Sequence, residues 1–375
     1  MKTLLMIMIL FGTTPAFSRG DMTMTEKLNS LDISFVCKEN PAIEQAFYLV
    51  EIDNYADYAQ EFSADCLFVE KVAKITHELN EMTEQKDKFY LQVSGVGTSS
   101  YFMANNALFL AKYDENILYS HPSMLADDPF FSQLSTTRYV HEYGHLLFFN
   151  WLAAGQRNPF YALLKTKRDE KIRSGLMARN CFQLLAQAEK NNEKRDALRV
   201  SVEDKCAELG LLHESSVLEL QKTVNKASRE TLKLLTLGSY QEIFSDILAL
   251  LYTGYPSLIS KGYQLVMGDS ESAKNKYYYA RDFTINHDLM SWESTQEHER
   301  FAPVRYHFYK NFYKADLNKS EKLKILKILF NVILDEIAKY PFEEDCHDEC
   351  ADQDAKKNIE MNQSFIEALN KRMIL

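Results

Sequence analysis

The chain has no block of clustered basic residues, and its formal net charge is -10. Without a positive surface to displace counterions from a phosphate backbone, a nucleic-acid partner is excluded. It also lacks, beyond its first residues, an apolar run long enough to span a bilayer. The best contender, Leu323 to Tyr340, carries Lys324, Lys327, Asp335 and Glu336 at amphipathic helical spacing. Stable membrane insertion is therefore not expected. No cysteine follows the short apolar segment at the N-terminus, which excludes a bacterial lipid anchor.

That segment reads as an export signal. Met1-Lys2 supplies a short positive start, Leu4 to Phe11 an apolar core, and Ala16-Phe17-Ser18 small residues before a cut after Ser18. The expected location is secreted or periplasmic. Six cysteines remain, an even count that in an exported chain suggests three disulfides. Sequence neighbours suggest Cys37–Cys66, Cys181–Cys206 and Cys346–Cys350. The last pair flanks His347 in an acidic stretch, which reads as a solvated turn with one disulfide in preference to a second metal site. With 375 residues, 46% of them hydrophobic, the chain can bury one large core or two fused lobes.

The organising stretch is Tyr139-Val140-His141-Glu142-Tyr143-Gly144-His145-Leu146. As a helix it puts His141 and His145 four residues apart on one face, where both imidazoles can share one zinc ion. Glu142 then lies beside them, placed to take a proton from a water at the open coordination position. Leu134, Val140, Leu147, Phe148 and Trp151 give the helix apolar faces for burial.

Two histidines do not close a tetrahedral site. A third histidine six residues beyond the second is one solution, but the residue there is Trp151. The better candidate is Glu242 in Gly238-Ser239-Tyr240-Gln241-Glu242-Ile243-Phe244-Ser245-Asp246, the start of an otherwise very apolar helix. Asp246, one turn on, is placed to accept the free ring N–H of His141 and fix its tautomer. A capping box between Ser239 and Glu242 is the competing account. It leaves Asp246 unexplained, because an unpartnered carboxylate among Ile243, Phe244, Ile247 and Leu248 is costly.

Around these motifs the periodicities divide the chain into a signal peptide (1–18), an N-terminal helical cap (19–87), a small sheet plus the metal-binding helix (88–150), an inserted helical hairpin (151–237) and a helical lobe with the third ligand (238–375). Strand patterns cover residues 88–96 and 107–113.

His141-Glu142-Tyr143-Gly144-His145 followed by Glu242-Ile243-Phe244-Ser245-Asp246 resembles the paired signature of the gluzincin zinc metallopeptidases, the thermolysin-like clan. The resemblance implies a zincin-like α+β fold, predominantly helical, with a small mixed sheet beside the metal helix and a cleft between it and a mainly helical second lobe. It implies a peptide or protein substrate laid on the sheet edge, for which Asn105, Asn106 and Ala107 are candidates. By similarity, Tyr306, His307 or His298 would stabilise the oxyanion, and Arg305 would hold a substrate carbonyl or carboxylate. The expected activity is peptide-bond hydrolysis with one zinc ion on His141, His145 and Glu242 and with Glu142 as general base. The readings that compete with it are a catalytically inactive secreted binding protein on the same scaffold and a zinc hydrolase of a non-peptide amide in a cell wall.

Overall fold

A computed structural model describes residues 37, 40–53, 64–97, 101–103, 107–114, 129–155, 159–190, 197–226, 238–267, 279–292, 294, 296–339 and 351–373. The signal peptide, Asn105, Asn106, and the Cys346–Cys350 pair with His347 lie outside the described residues.

The first ordered unit is a strand–helix–strand. After a short helix α1 (Pro41–Ala46) capped by the Asn40 side chain, β1 (Tyr48–Asp53) leads to α2 (Cys66–Thr83) and β2 (Tyr90–Gly97). Asp65 caps α2 by accepting the Phe68 N–H at 2.8 Å. Its other end stops at Glu84, which takes the left-handed conformation at φ 58°. Val69, Val72, Ala73, Leu79 and Met82 recur at helical spacing and are all buried.

β1 corrects one expectation, since the region up to residue 87 is not a purely helical cap. The spacing of Ala46 and Val50 matches a helix locally. A six-residue run rich in Tyr, Val and Ile instead finds β2 as a parallel partner, with Tyr48 opposite Tyr90 and Ile52 opposite Val93.

Two further strands, β3 (Tyr101–Met103) and β4 (Ala107–Asp114), complete a mixed sheet of order β1-β2-β4-β3. β1, β2 and β4 are parallel and β3 runs antiparallel on the outer side of β4. Alternation sets the two faces. Leu91, Val93, Leu108 and Leu110 turn into the main core with α2. Tyr90 and Ala107 turn the other way, onto Leu176 and Ile172.

The remaining chain is helical: α3 (Pro129–Ala154), α4 (Pro159–Lys190), α5 (Ala197–Asn225), α6 (Gly238–Thr253), α7 (Leu258–Met267), α8 (Ala302–Asn311), α9 (Lys319–Lys339) and α10 (Ala351–Arg372). α3 packs on β4 and β3, and α6 packs along α3. The fold is thus α+β and predominantly helical, with the small sheet beside the helix that bears both histidines. α4 and α5 form an antiparallel pair stapled by Cys181–Cys206, whose sulfurs share a small core with Ala178 and Leu209. A second disulfide, Cys37–Cys66, ties the chain before α1 to the start of α2. Among the described residues no helix is long and apolar enough to cross a membrane.

The crossing of α3 and α6 depends on Gly144. A Cβ placed there would lie 2.6 Å from the Ser245 Cα and 2.8 Å from its Oγ. The obstruction is partly backbone, so no rotamer change relieves it. Gly144→Ala is expected to cost about 1–3 kcal/mol of stability, the usual penalty of overpacking, read as a lower urea midpoint. An unshifted midpoint would show that the two helices separate without cost.

Candidate metal centre

α3 brings two imidazoles to one place because its other faces are apolar. Val140, Tyr143, Leu146, Leu147 and Phe148 are fully buried, which fixes the rotation of the helix and turns His141 and His145 toward α6. The rings are buried, and their Nε2 atoms lie 3.1 Å apart. Glu142, the next residue along from His141, is half-buried.

α6 is apolar on almost every side, yet carries Glu242 and Asp246 in its buried stretch. The two Glu242 oxygens face the rings: Oε2 is 3.3 Å from His141 Nε2, and Oε1 is 3.1 Å from His145 Nε2. The carboxylate is therefore engaged across the helix pair. Ligands bound tetrahedrally at zinc–nitrogen distances of about 2.0–2.1 Å stand about 3.3 Å from one another. The two Nε2 atoms, 3.1 Å apart, come near that spacing, and one ligand atom from each of the three residues lies within 4.8 Å of the others. His141, His145 and Glu242 form a buried group that could hold a metal ion.

Asp246 supports this group from behind. Its Oδ1 lies 2.9 Å from His141 Nδ1, a contact that orients the ring, and Arg281 Nη2 lies 3.2 Å from the same ring's Nε2. Its Oδ2 accepts from Arg305 Nε at 2.7 Å and Arg281 Nε at 3.2 Å, and Arg281 also bonds Oδ1. Burial pushes the Asp246 carboxyl up. The guanidiniums of Arg281 and Arg305 and the bond to His141 outweigh this and hold it below the usual carboxylate range. Glu242 behaves likewise: burial raises it, but the charges of His145 and His141 leave it well below its ordinary value. For His141, burial and Arg281 act downward, while Glu242 and the Asp246 bond carry its pKa up to about 9.

Arg281 was not anticipated from sequence. It is buried in irregular chain between α7 and α8, and it also approaches Glu242 Oε2 at 3.4 Å. Arg305 was anticipated as a substrate contact. It is fully buried on Asp246, so its charge serves that carboxylate, and no exposed face remains to meet a substrate. Of the three candidates for an oxyanion donor, His298 reaches the site. Its Nδ1 lies 2.9 Å from Glu242 Oε2, and its side chain is 51% exposed. His307 instead faces Asn370 and Asn311, at 2.8 and 3.2 Å. Tyr306 lies under Lys310; its neighbour Arg305 takes the inward-facing position on α8.

The edge expected at Ala107 is also displaced. Ala107 opens β4, which is paired on both sides, with Tyr90 and with Met103. Among the described residues the strand that ends the sheet next to α3 is β3, while Asn106 lies outside them. His287 contacts the Tyr279 carbonyl at 3.0 Å and packs on Trp292. His213 lies away from the site, on the hairpin, with its Nδ1 3.3 Å from the Ser174 hydroxyl.

Comparison with protein-family models, with curated proteins and with solved structures found no match. The site's own geometry therefore carries the functional reading.

Removing Glu242 as Glu242→Ala should weaken zinc binding by more than about 100-fold, beyond the loss caused by an outer-sphere partner. Competition with a chromogenic chelator measures it, and undiminished affinity would return Glu242 to a helix-start role. Arg305→Met should destabilise the metal-free chain by about 3 kcal/mol, because a buried carboxylate loses one of two cations. Chemical denaturation reads that difference.

Proposed function

We propose that this chain is an exported zinc-dependent peptidase of the zincin type, hydrolysing peptide bonds with a water activated at the His141–His145–Glu242 centre. The observation that carries the reading is the convergence of two buried imidazoles and one buried carboxylate, with a further carboxylate, Glu142, beside His141 on the histidine helix. Two imidazoles and one carboxylate are a donor set that zinc favours at catalytic sites, where a fourth position stays open. When bound, zinc supplies Lewis acidity, lowering the pKa of water and polarising a carbonyl.

The chain's own residues divide the rest of the work. Glu142, half-buried where the two rings are buried, takes the proton of the attacking water and returns it to the departing amine nitrogen. Asp246 orients the His141 ring, and Arg281 and Arg305 hold Asp246. His298, exposed on one side and in contact with Glu242 on the other, is the group placed to donate toward a developing oxyanion. An extended peptide would add to β3, which ends the sheet next to α3, with main-chain hydrogen bonds supplying its orientation. The N-terminal pattern of Met1 to Ser18 and two disulfides, Cys37–Cys66 and Cys181–Cys206, support export.

Glu142→Gln is the decisive variant. It should keep one zinc per chain and lower peptide turnover by about 1,000-fold or more, within the range for loss of a general base. Metal analysis and digestion of a peptide library by the refolded mature chain provide both readouts. Undiminished hydrolysis would remove Glu142 from the mechanism. A zinc-loaded wild type that cleaves no peptide would favour a binding role or a non-peptide amide substrate.

A further inference from the structure

The segment that delivers His298 has no regular structure of its own, yet it is held from the C-terminal helix. Asn358 and Asn362 of α10 are 1% and 0% exposed, buried where an unbonded amide would be costly. The Asn358 Nδ2 donates to the carbonyls of Trp292 and Ser294 at 3.1 and 2.8 Å. The Asn362 Nδ2, one turn on, donates to the Arg300 carbonyl at 3.0 Å. The two amides thus hold the backbone on either side of His298.

Within that span the chain closes on itself. The Trp292 indole Nε1 donates to the Glu299 carbonyl at 3.0 Å, and the Arg300 N–H donates to the Gln296 carbonyl at 2.9 Å. An aromatic cluster locks the same three elements together. Phe301 packs between Tyr240 of α6 and Phe365 of α10, with ring centroids 4.6 and 5.3 Å away. Tyr240 lies two residues before Glu242, so the third ligand and the His298 segment are registered against one another through α10.

We propose that Asn358 and Asn362 are positioning residues for the metal centre. They fix the turn that sets His298 Nδ1 against Glu242 Oε2, so that this oxygen is held from outside while Oε1 is directed at His145. The C-terminal helix is on this view an outer part of the site, although it lends no atom to the ion. The proposal rests on the metal reading of His141, His145 and Glu242, but it does not require that the substrate be a peptide. Local order at His298 depends on α10 because neither a helix nor a strand supplies it.

The test is a double-mutant cycle on metal affinity, read with zinc and with cobalt(II), whose visible spectrum reports the ligand field. His298→Ala should weaken zinc about tenfold, the effect of losing an outer-sphere partner. Asn362→Ala should weaken it about threefold to tenfold and change the cobalt spectrum in the same direction. In the double variant the second change should add almost nothing, because Asn362 acts through His298. Losses that multiply would assign Asn362 to general stability and overturn the proposal, as would an Asn362→Ala chain with wild-type affinity. If Asn362→Ala fails to fold, Trp292→Phe takes its place in the cycle, since it removes the donor to the Glu299 carbonyl and keeps most of the packing. The same two outcomes then decide. A wild type that binds neither ion removes the metal reading and this proposal together; additive losses in a metal-binding chain remove this proposal alone.

Discussion

The carboxylate of Asp246 is where the parts of this molecule meet. It lies 1% exposed on an apolar helix, and a bare charge there would be untenable. Its partners come from three other segments: His141 from α3, Arg281 from the irregular chain after α7, and Arg305 from α8. Each partner needs Asp246 as much as Asp246 needs it, because Arg305 is fully buried and Arg281 nearly so. The Asp246 helix, α8 and the chain that carries Arg281 are thereby fastened to the histidine helix through one ionic centre, and the apolar packing of α3 on α6 surrounds it.

With His141 neutral, as ligation requires, the charges in this centre are balanced before an ion's own charge is counted. Glu242 and Asp246 contribute two negative charges, and Arg281 and Arg305 two positive ones. A divalent ion would then leave the region net positive in a dry setting. That field favours an ionised water and a negative oxygen on the substrate, which is what the proposed hydrolysis requires. Glu142 lies half-buried, one residue along α3 from His141. The arginines therefore have two effects: they make a buried Asp246 tolerable, and they keep it from cancelling the charge of the ion.

Much of this centre was legible in the sequence because its signals are local. His141 and His145 follow the helical period, and the long apolar context told that this helix would be buried. Glu242 and Asp246 stood out for a related reason, as acids on a helix with no polar face. What could not be read are the contributions of irregular chain. Arg281 sits in a stretch without periodicity, and nothing near it in sequence announces that its partner is 35 residues away. Arg305, Tyr306 and His307 were legible as a polar group on one helix, but which of them faces inward depends on the rotation of α8. That rotation is set by Val304 and Phe308, both fully buried, and it turns Arg305 inward with them. Strand β1 was hidden because its partner lies across a crossover helix, so its pairing energy has no local trace.

The staple between α4 and α5 sits in the stretch of chain that separates the two ligand helices. Closing Cys181 to Cys206 bypasses 25 residues of that stretch. By loop-closure entropy, shortening the path from His145 to Glu242 in this way is worth only about 0.3 kcal/mol, whereas the constraint on the hairpin itself is worth about 3 kcal/mol. Oxidation therefore strengthens the insertion and leaves the assembly of the ligands almost untouched. The hairpin is anchored on the sheet through Ile172 and Leu176, and beyond that contact its stability depends on its own redox state.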